Sequence, residues 1–192
     1  MRIDKKLNFV FPVDTSDHGT VWVYSIPIAR SVFETYYDVL GKVFTKCFDG
    51  EDPKHVALTA PQLALPALKA ISQTNGTWEG NSGVQRGLLN EIIRLTTIAY
   101  AGDKGWESLP LDTAVSRQII DDENLSEIMS SLIFFTSICK VAPRSLASTF
   151  LEMAGSLREW QFTLSGFSEW LSSLPPLTKE SDSTATRSAI IS

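Results

Sequence analysis

The feature that most constrains this chain is a change of hydrophobic period inside one stretch, Thr20 to Phe48. Val21, Val23 and Ser25 alternate with Trp22, Tyr24 and Ile26. That is a strand pattern with apolar groups on both faces, so both faces need cover. Pro27 ends the ladder because it has no N–H to donate. From Val32 the apolar residues recur at helical steps through Phe33, Tyr36, Leu40, Val43, Phe44 and Cys47, with Glu34, Asp38, Lys42 and Lys46 opposite. A strand feeding a helix with a wide aromatic face must be packed against something. Phe33, Tyr36, Leu40 and Phe44 are expected in the core, and Tyr37 nearer the surface.

Upstream, Lys6 to Val13 reads as a first strand, and Asp14 to Gly19 as the loop of a hairpin. Downstream the reading is helical. The Ala-rich run Lys54–Ile71 carries Pro61 and Pro66 and predicts one or two short helices. Gly87–Tyr100 predicts an amphipathic helix, and Trp106–Pro110 a connector. A short helix follows from Asp112 or Thr113 to Ile120, and Leu125–Val141 predicts the most buried helix of the chain. Ser145 to about Trp170 carries apolar residues at helical steps, interrupted by Gly155, Ser165 and Gly166. From Ser172 the chain turns Ser/Thr/Pro-rich, the composition of a disordered tail. The expected fold is therefore mainly α with a small N-terminal β-hairpin (α+β). It is a helical bundle of about five to six helices over residues 1–171, with a flexible tail over 172–192.

With 192 residues, 43% hydrophobic and 20% charged, one globular domain plus a tail is expected, with two small domains as the alternative. The net charge of -5 argues against nucleic acid or an anionic membrane as partner, since both reward a basic surface. The run Leu132–Cys139 is too short to span a bilayer. Met1–Lys6 leads straight into a strand-like run, so no secretory leader is expected. Cys47 and Cys139 read as small apolar residues on apolar stretches, and their positions leave a disulfide between them open.

Chemistry is hard to find in this sequence. His18 and His55 have no Cys or acidic residue at metal-ligand spacing. The Gly-rich segment Gln73–Gly87 lacks the Gly-Lys-Ser/Thr of a phosphate loop, and reads as a structural loop anchored by Trp78. Asp121, Asp122 and Glu123 resemble a paired-carboxylate site, but at a helix start they are better read as a cap and dipole partners. No catalytic, cofactor-binding or metal residue is assigned, no cofactor is expected, and the chain is not expected to be an enzyme. Binding or assembly is left. Trp160, Phe162, Phe167 and Trp170 are many rings for the end of a chain, so they either wrap back over the core or face a partner. With Tyr37 they form the candidate partner-binding set.

Three runs carry a resemblance. These are K-K-L-N-x-V-x-P-V from Lys5 to Val13, V-x-V-Y-S-x-P-I-x-R-x-V-F-E-x-Y-Y-x-V-x-x-K-x-F from Val21 to Phe44, and W-E-G-N-x-G-V-Q-x-G-L-L-x-E-I-x-R-L-T from Trp78 to Thr96. Together with Gly105–Pro110, Leu132–Thr136 and the Ser/Thr-rich end, they resemble the tail assembly chaperones of long, non-contractile-tailed bacteriophages. The resemblance implies a non-enzymatic protein of the host cytoplasm, absent from the mature virion. Its implied partners are the phage tape measure protein, which it keeps soluble, and the major tail tube protein, which it recruits. Many such relatives gain a longer C-terminal domain by ribosomal frameshifting, so a longer form of the chain is a further implied partner. The alternative reading is a structural minor tail or adaptor protein of the virion.

Overall fold

The structure is a computed structural model that describes residues 7–49, 53–141, 149, 152, 153, 155 and 158–177. Strand β1 (Asn8–Thr15) and strand β2 (Gly19–Ser25) form the expected hairpin, paired from Phe9↔Ser25 to Thr15↔Gly19. Gly19 takes φ +63, which closes the three-residue loop at little steric cost. Thr15 Oγ1 donates to Gly19 O (2.8 Å) and Thr20 Oγ1 to Asp14 Oδ1 (2.7 Å). The strand alternation holds. Phe9, Phe11, Val13, Val21 and Val23 enter the main core, while Val10 and Tyr24 are buried on the opposite face.

The helical stretch after Pro27 is split. Helix α1 (Arg30–Thr35) ends at Tyr36, and helix α2 (Tyr37–Cys47) continues from it. Leu40 is fully buried; Phe33, Tyr36 and Phe44 are half-buried against the core, and Tyr37 is exposed.

Helix α3 (Pro53–Thr74) is one continuous element, not one or two short ones. An interior proline costs roughly 3 kcal/mol in a helix. Here α3 is clamped between α2 and helix α6 (Asp122–Val141), and that packing outweighs the prolines. Beside Pro66 the backbone N–H of Leu65 donates to Ser130 Oγ of α6 (3.0 Å), tying the two helices at the interruption.

The bundle expectation is overturned further along. A π-helical turn (Gln85–Leu89) and the short helix α4 (Asn90–Arg94) stop at Leu95. Strand β3 (Thr96–Gly102) takes the second half of the expected Gly87–Tyr100 helix. The supposed connector is strand β4 (Gly105–Pro110), joined to β3 by a two-residue turn with Gly105 at φ +125. The physical reason is an ambiguity of period. Thr96 and Ala99 fit a helical stripe, but Thr96 and Ile98 also alternate with Thr97 and Ala99. β-branched residues favour the strand once a neighbour offers a ladder, and β2 offers it through Trp22↔Ala99 and Val23↔Ile98.

Helix α5 (Leu111–Ser116) is shorter than expected, ending before Gln118 at φ +59. The expected helix over Ser145–Trp170 is also corrected where it is described. Glu159 at φ +57 leads into strand β5 (Gln161–Thr163), which pairs with β1, and Phe167–Ser173 forms a separate helix, α7. Residues 142–148 lie outside the described residues. Of the expected flexible tail, Ser172 and Ser173 belong to α7, and residues 178–192 lie outside the described residues.

The result is an α+β fold. An antiparallel sheet in the order β4-β3-β2-β1-β5 carries α2, α3 and α6 over one face and α7 over the other. Helix α6 is buried nearly all round, through Ile128, Met129, Leu132, Ile133, Phe134, Phe135 and Ile138. Such a helix belongs in the middle of the helical layer, and Asp121 caps its start by accepting from Asn124 N at 2.7 Å. Phe135→Ala is expected to lower the unfolding free energy by about 3–5 kcal/mol, read from the midpoint of urea denaturation; a loss below about 1 kcal/mol would contradict its place in the core.

Candidate functional site

The candidate partner-binding residues do not form one site. Trp160 is buried against the helical face of the sheet, edge-on to Phe9 at 4.8 Å. Phe162 stacks on Phe9 (5.5 Å) and Phe135 (5.7 Å). Phe167 and Trp170 lie on the opposite face, where both meet the Tyr24 ring (5.3 and 5.4 Å). Tyr37 stands apart on α2, 58% exposed, with its ring 5.6 Å from Phe33.

Tyr37 lines an open groove of about 600 Å³ with Phe44, Ile71 and Val141. Its rim is polar, formed by Asp38, Lys42, Lys46 and Asp49, and Lys42 Nζ bonds Asp38 Oδ2 at 2.7 Å. This surface pair is worth little in stability, so the rim is free to rearrange around a ligand.

A second surface was not legible in the sequence. Leu63 (51% exposed) shares the outward side of α3 with Pro66 and Ala70, three and seven residues on, interspersed with Gln62 and Lys69, while Leu58 (45%) lies well round the helix from Leu63 and has its carbonyl bonded by Arg158. On the packed side of the helix Ala60, Ala64 and Leu68 are fully buried. One signal was present: α3 carries apolar residues all round, whereas α2 and α6 pack on the side of Ala60, Ala64 and Leu68. An exposed apolar strip beside polar residues is the usual mark of a contact surface.

The Gly-rich loop is structural. Thr77 N donates to Ser72 O (2.8 Å), Val84 N to Thr77 O (2.9 Å) and Gln85 N to Trp78 O (3.1 Å). These N–H groups are thus turned onto the loop's own carbonyls, the reverse of an anion cradle. Trp78 packs half-buried on the core. Gly83 is needed for close approach, since a Cβ there would lie 2.4 Å from Glu79 O.

Among the described residues no three His, Cys, Asp or Glu groups converge, and no described helix is long and apolar enough to cross a membrane. His18 sits exposed on the hairpin, 6.4 Å from the Tyr100 ring. Cys47 is buried, its thiol donating toward Ala60 O at 3.7 Å, and burial pushes it up to about 11. A thiol held protonated in this way is a poor nucleophile. Cys139 is half-buried on α6.

Two outcomes follow from this geometry. Gly83→Ala should destabilise the chain by about 1–3 kcal/mol, because backbone rather than a movable side chain blocks the new methyl; thermal melting reads it. The raised Cys47 value makes the folded state hold its proton longer than the unfolded one. Its contribution is therefore complete below about pH 9 and lost as pH rises toward 11. Unfolding free energy should fall by roughly 2–3 kcal/mol across that window, and Cys47→Ala should lack that part of the fall in pH-dependent denaturation.

Comparison of the chain with protein-family models, with curated proteins and with solved structures returned no match.

Proposed function

We propose that the chain is a tail assembly chaperone of a long, non-contractile-tailed bacteriophage. In this reading it binds the tape measure protein, keeps it soluble, and helps recruit tail tube subunits in the host cytoplasm before leaving the assembled tail. The observation that carries the proposal is the strip Leu63, Pro66 and Ala70 on the solvent side of α3. A long amphipathic helix leaves an apolar face in water until something covers it. A helix that itself presents apolar groups between polar ones can cover such a face, in the manner of helix-on-helix recognition. Covering the exposed Leu63 is worth up to about 1.5–3 kcal/mol, and repetition along a long partner multiplies a weak contact. The sequence resemblance from Lys5 to Val13, Val21 to Phe44 and Trp78 to Thr96 supports the same role. The Tyr37 groove, apolar inside and charged at the rim, is a second place for a partner side chain.

Co-expression tests this directly. The tape measure protein from the same phage genome should move from the insoluble to the soluble fraction with the wild-type chain, and elute with it in gel filtration. Leu63→Glu combined with Ala70→Glu should abolish this while leaving the melting temperature of the chain within a few degrees. A tape measure protein that stays insoluble with the wild-type chain would sink the proposal. Mass spectrometry of purified particles separates it from a minor tail or adaptor role, because a chaperone should be missing from them.

A further inference from the structure

Two backbone irregularities meet at one place. The helical stretch after Pro27 breaks at Tyr36, whose φ −109 and ψ 15 lie between the helical and extended regions. Against it runs the π-helical turn Gln85–Leu89. Residues in that bridge region and single π turns are both uncommon, and both recur at functional sites. Here the two are fitted to each other. Tyr36 Oη donates to Ser82 O at 3.1 Å. The same hydroxyl sits over Gly87, where any Cβ would collide with it. Glycine at position 87 is therefore what admits the tyrosine, and the ring is held in one place before any ligand arrives.

A cleft with two lobes opens around this contact. Thr35, Tyr36 and Ser82 line both lobes, so the Tyr36–Ser82 bond stands at their divide. The smaller lobe, about 160 Å³, adds Asn75, Thr77 and Asp38. The larger, about 400 Å³, adds Ser31, Asn81 and Glu91.

The chemistry of this lining narrows the ligand class. Among the described residues neither lobe is lined by Lys, Arg or His. The N–H groups of the Gly-rich loop are turned onto its own carbonyls, so an anion finds no partner. The two carboxylates are already paired one turn along their helices. Asp38 accepts from Lys42 at 2.7 Å, and Glu91 accepts from Arg94 through both oxygens at 2.7 and 2.8 Å. They hold little net charge for a cation, yet keep lone pairs that accept hydrogen bonds. The rest of the polar lining is hydroxyl and amide, groups that donate and accept alike. The side chains of Asn75 and Ser82 are exposed and bond nothing among the described residues. Asn81 spends its Oδ1 on Arg86 (3.2 Å), which leaves its N–H groups to donate.

We propose that this cleft binds a neutral saccharide. Sugar hydroxyls also donate and accept, so they match such a lining group for group, and they bring no charge that the paired carboxylates would have to balance. The C–H face of a sugar ring is apolar and packs on an aromatic ring; Tyr36, fixed between the lobes, supplies that wall. A wall set in place beforehand spares the ordering that binding would otherwise cost. The inference does not depend on the chaperone reading, because the cleft shares no residue with the strip on α3.

Titration of the isotope-labelled full chain with maltose, cellobiose and chitobiose, followed by amide NMR shifts, tests it. At least one of these neutral disaccharides should move the signals of Tyr36, Ser82 and Gly87, saturating in the millimolar range. Asn75→Ala combined with Ser82→Ala removes two exposed groups that the fold does not use. It should weaken binding about tenfold, with the melting temperature and the signals of the sheet unchanged. No shift with any of the three sugars overturns the proposal, as do shifts scattered over the surface or an unchanged affinity in the double variant. Spermidine and inorganic phosphate serve as charged probes. If either moves the same signals at lower concentration than the sugars, the cleft is an ion site and the proposal falls.

Discussion

Phe9 is the point on which the packing depends. It lies on β1, fully buried, and meets four other rings: Phe11 at 4.7 Å, Phe135 at 4.5 Å, Trp160 at 4.8 Å and Phe162 at 5.5 Å. Those rings come from the same strand, from the central helix α6, and from the segment around β5. One side chain therefore fastens the sheet to the helical layer and draws the C-terminal part of the chain back to the N-terminal strand. Offset and edge-on aromatic pairs add to the area they bury. They also restrict geometry, so the angle between α6 and β1 follows from how these rings can stack.

The rest of the molecule follows from having such a sheet. Its strands alternate apolar groups to both faces, so each face demands its own cover. The first face receives a thick layer in which α6 is enclosed by α2, α3 and the sheet. The second, among the described residues, receives only α7 and the chain that follows it up to Leu177. The two covers differ in kind. The first cannot be removed without exposing a continuous core, while the second is a short segment held by ring contacts and by hydrogen bonds at both ends. The α3 strip and the cluster under α7 thus lie on opposite sides of the molecule, one open to solvent and one closed by the chain itself.

The legible parts of the fold were those where a single period fits. The hairpin loop ending in Gly19, the in-and-out alternation of Val21 to Tyr24 and the buried run Leu125–Val141 each have one good reading. Thr96–Gly102 did not, because its apolar residues satisfy a helical stripe and a strand alternation together. Local propensity decides little there; the presence of β2 as a neighbour decides it. Pro61 and Pro66 misled for a related reason, since their cost is set by the isolated helix and their tolerance by α2 and α6. Among the candidate site residues, Tyr37 was readable as outward because the apolar face of Phe33 to Phe44 is wider than one neighbour can bury. Trp160, Phe162, Phe167 and Trp170 could not be sorted, because a ring near a chain end looks the same whether it packs inward or awaits a partner.

The sequence by itself determined the hairpin with its loop ending at Gly19, the two-faced alternation of β2 and the apolar run that becomes α6. These depend on side-chain composition and on short-range sterics, which act within a few residues. Tertiary structure decided that β3 and β4 extend the hairpin into a five-stranded sheet, that Trp160 and Trp170 end up on opposite faces of it, and that Leu58 and Leu63 stay in the open. Those outcomes depend on strand pairing and on which neighbours arrive at a given face. Both join residues far apart in the chain, and no local pattern encodes them.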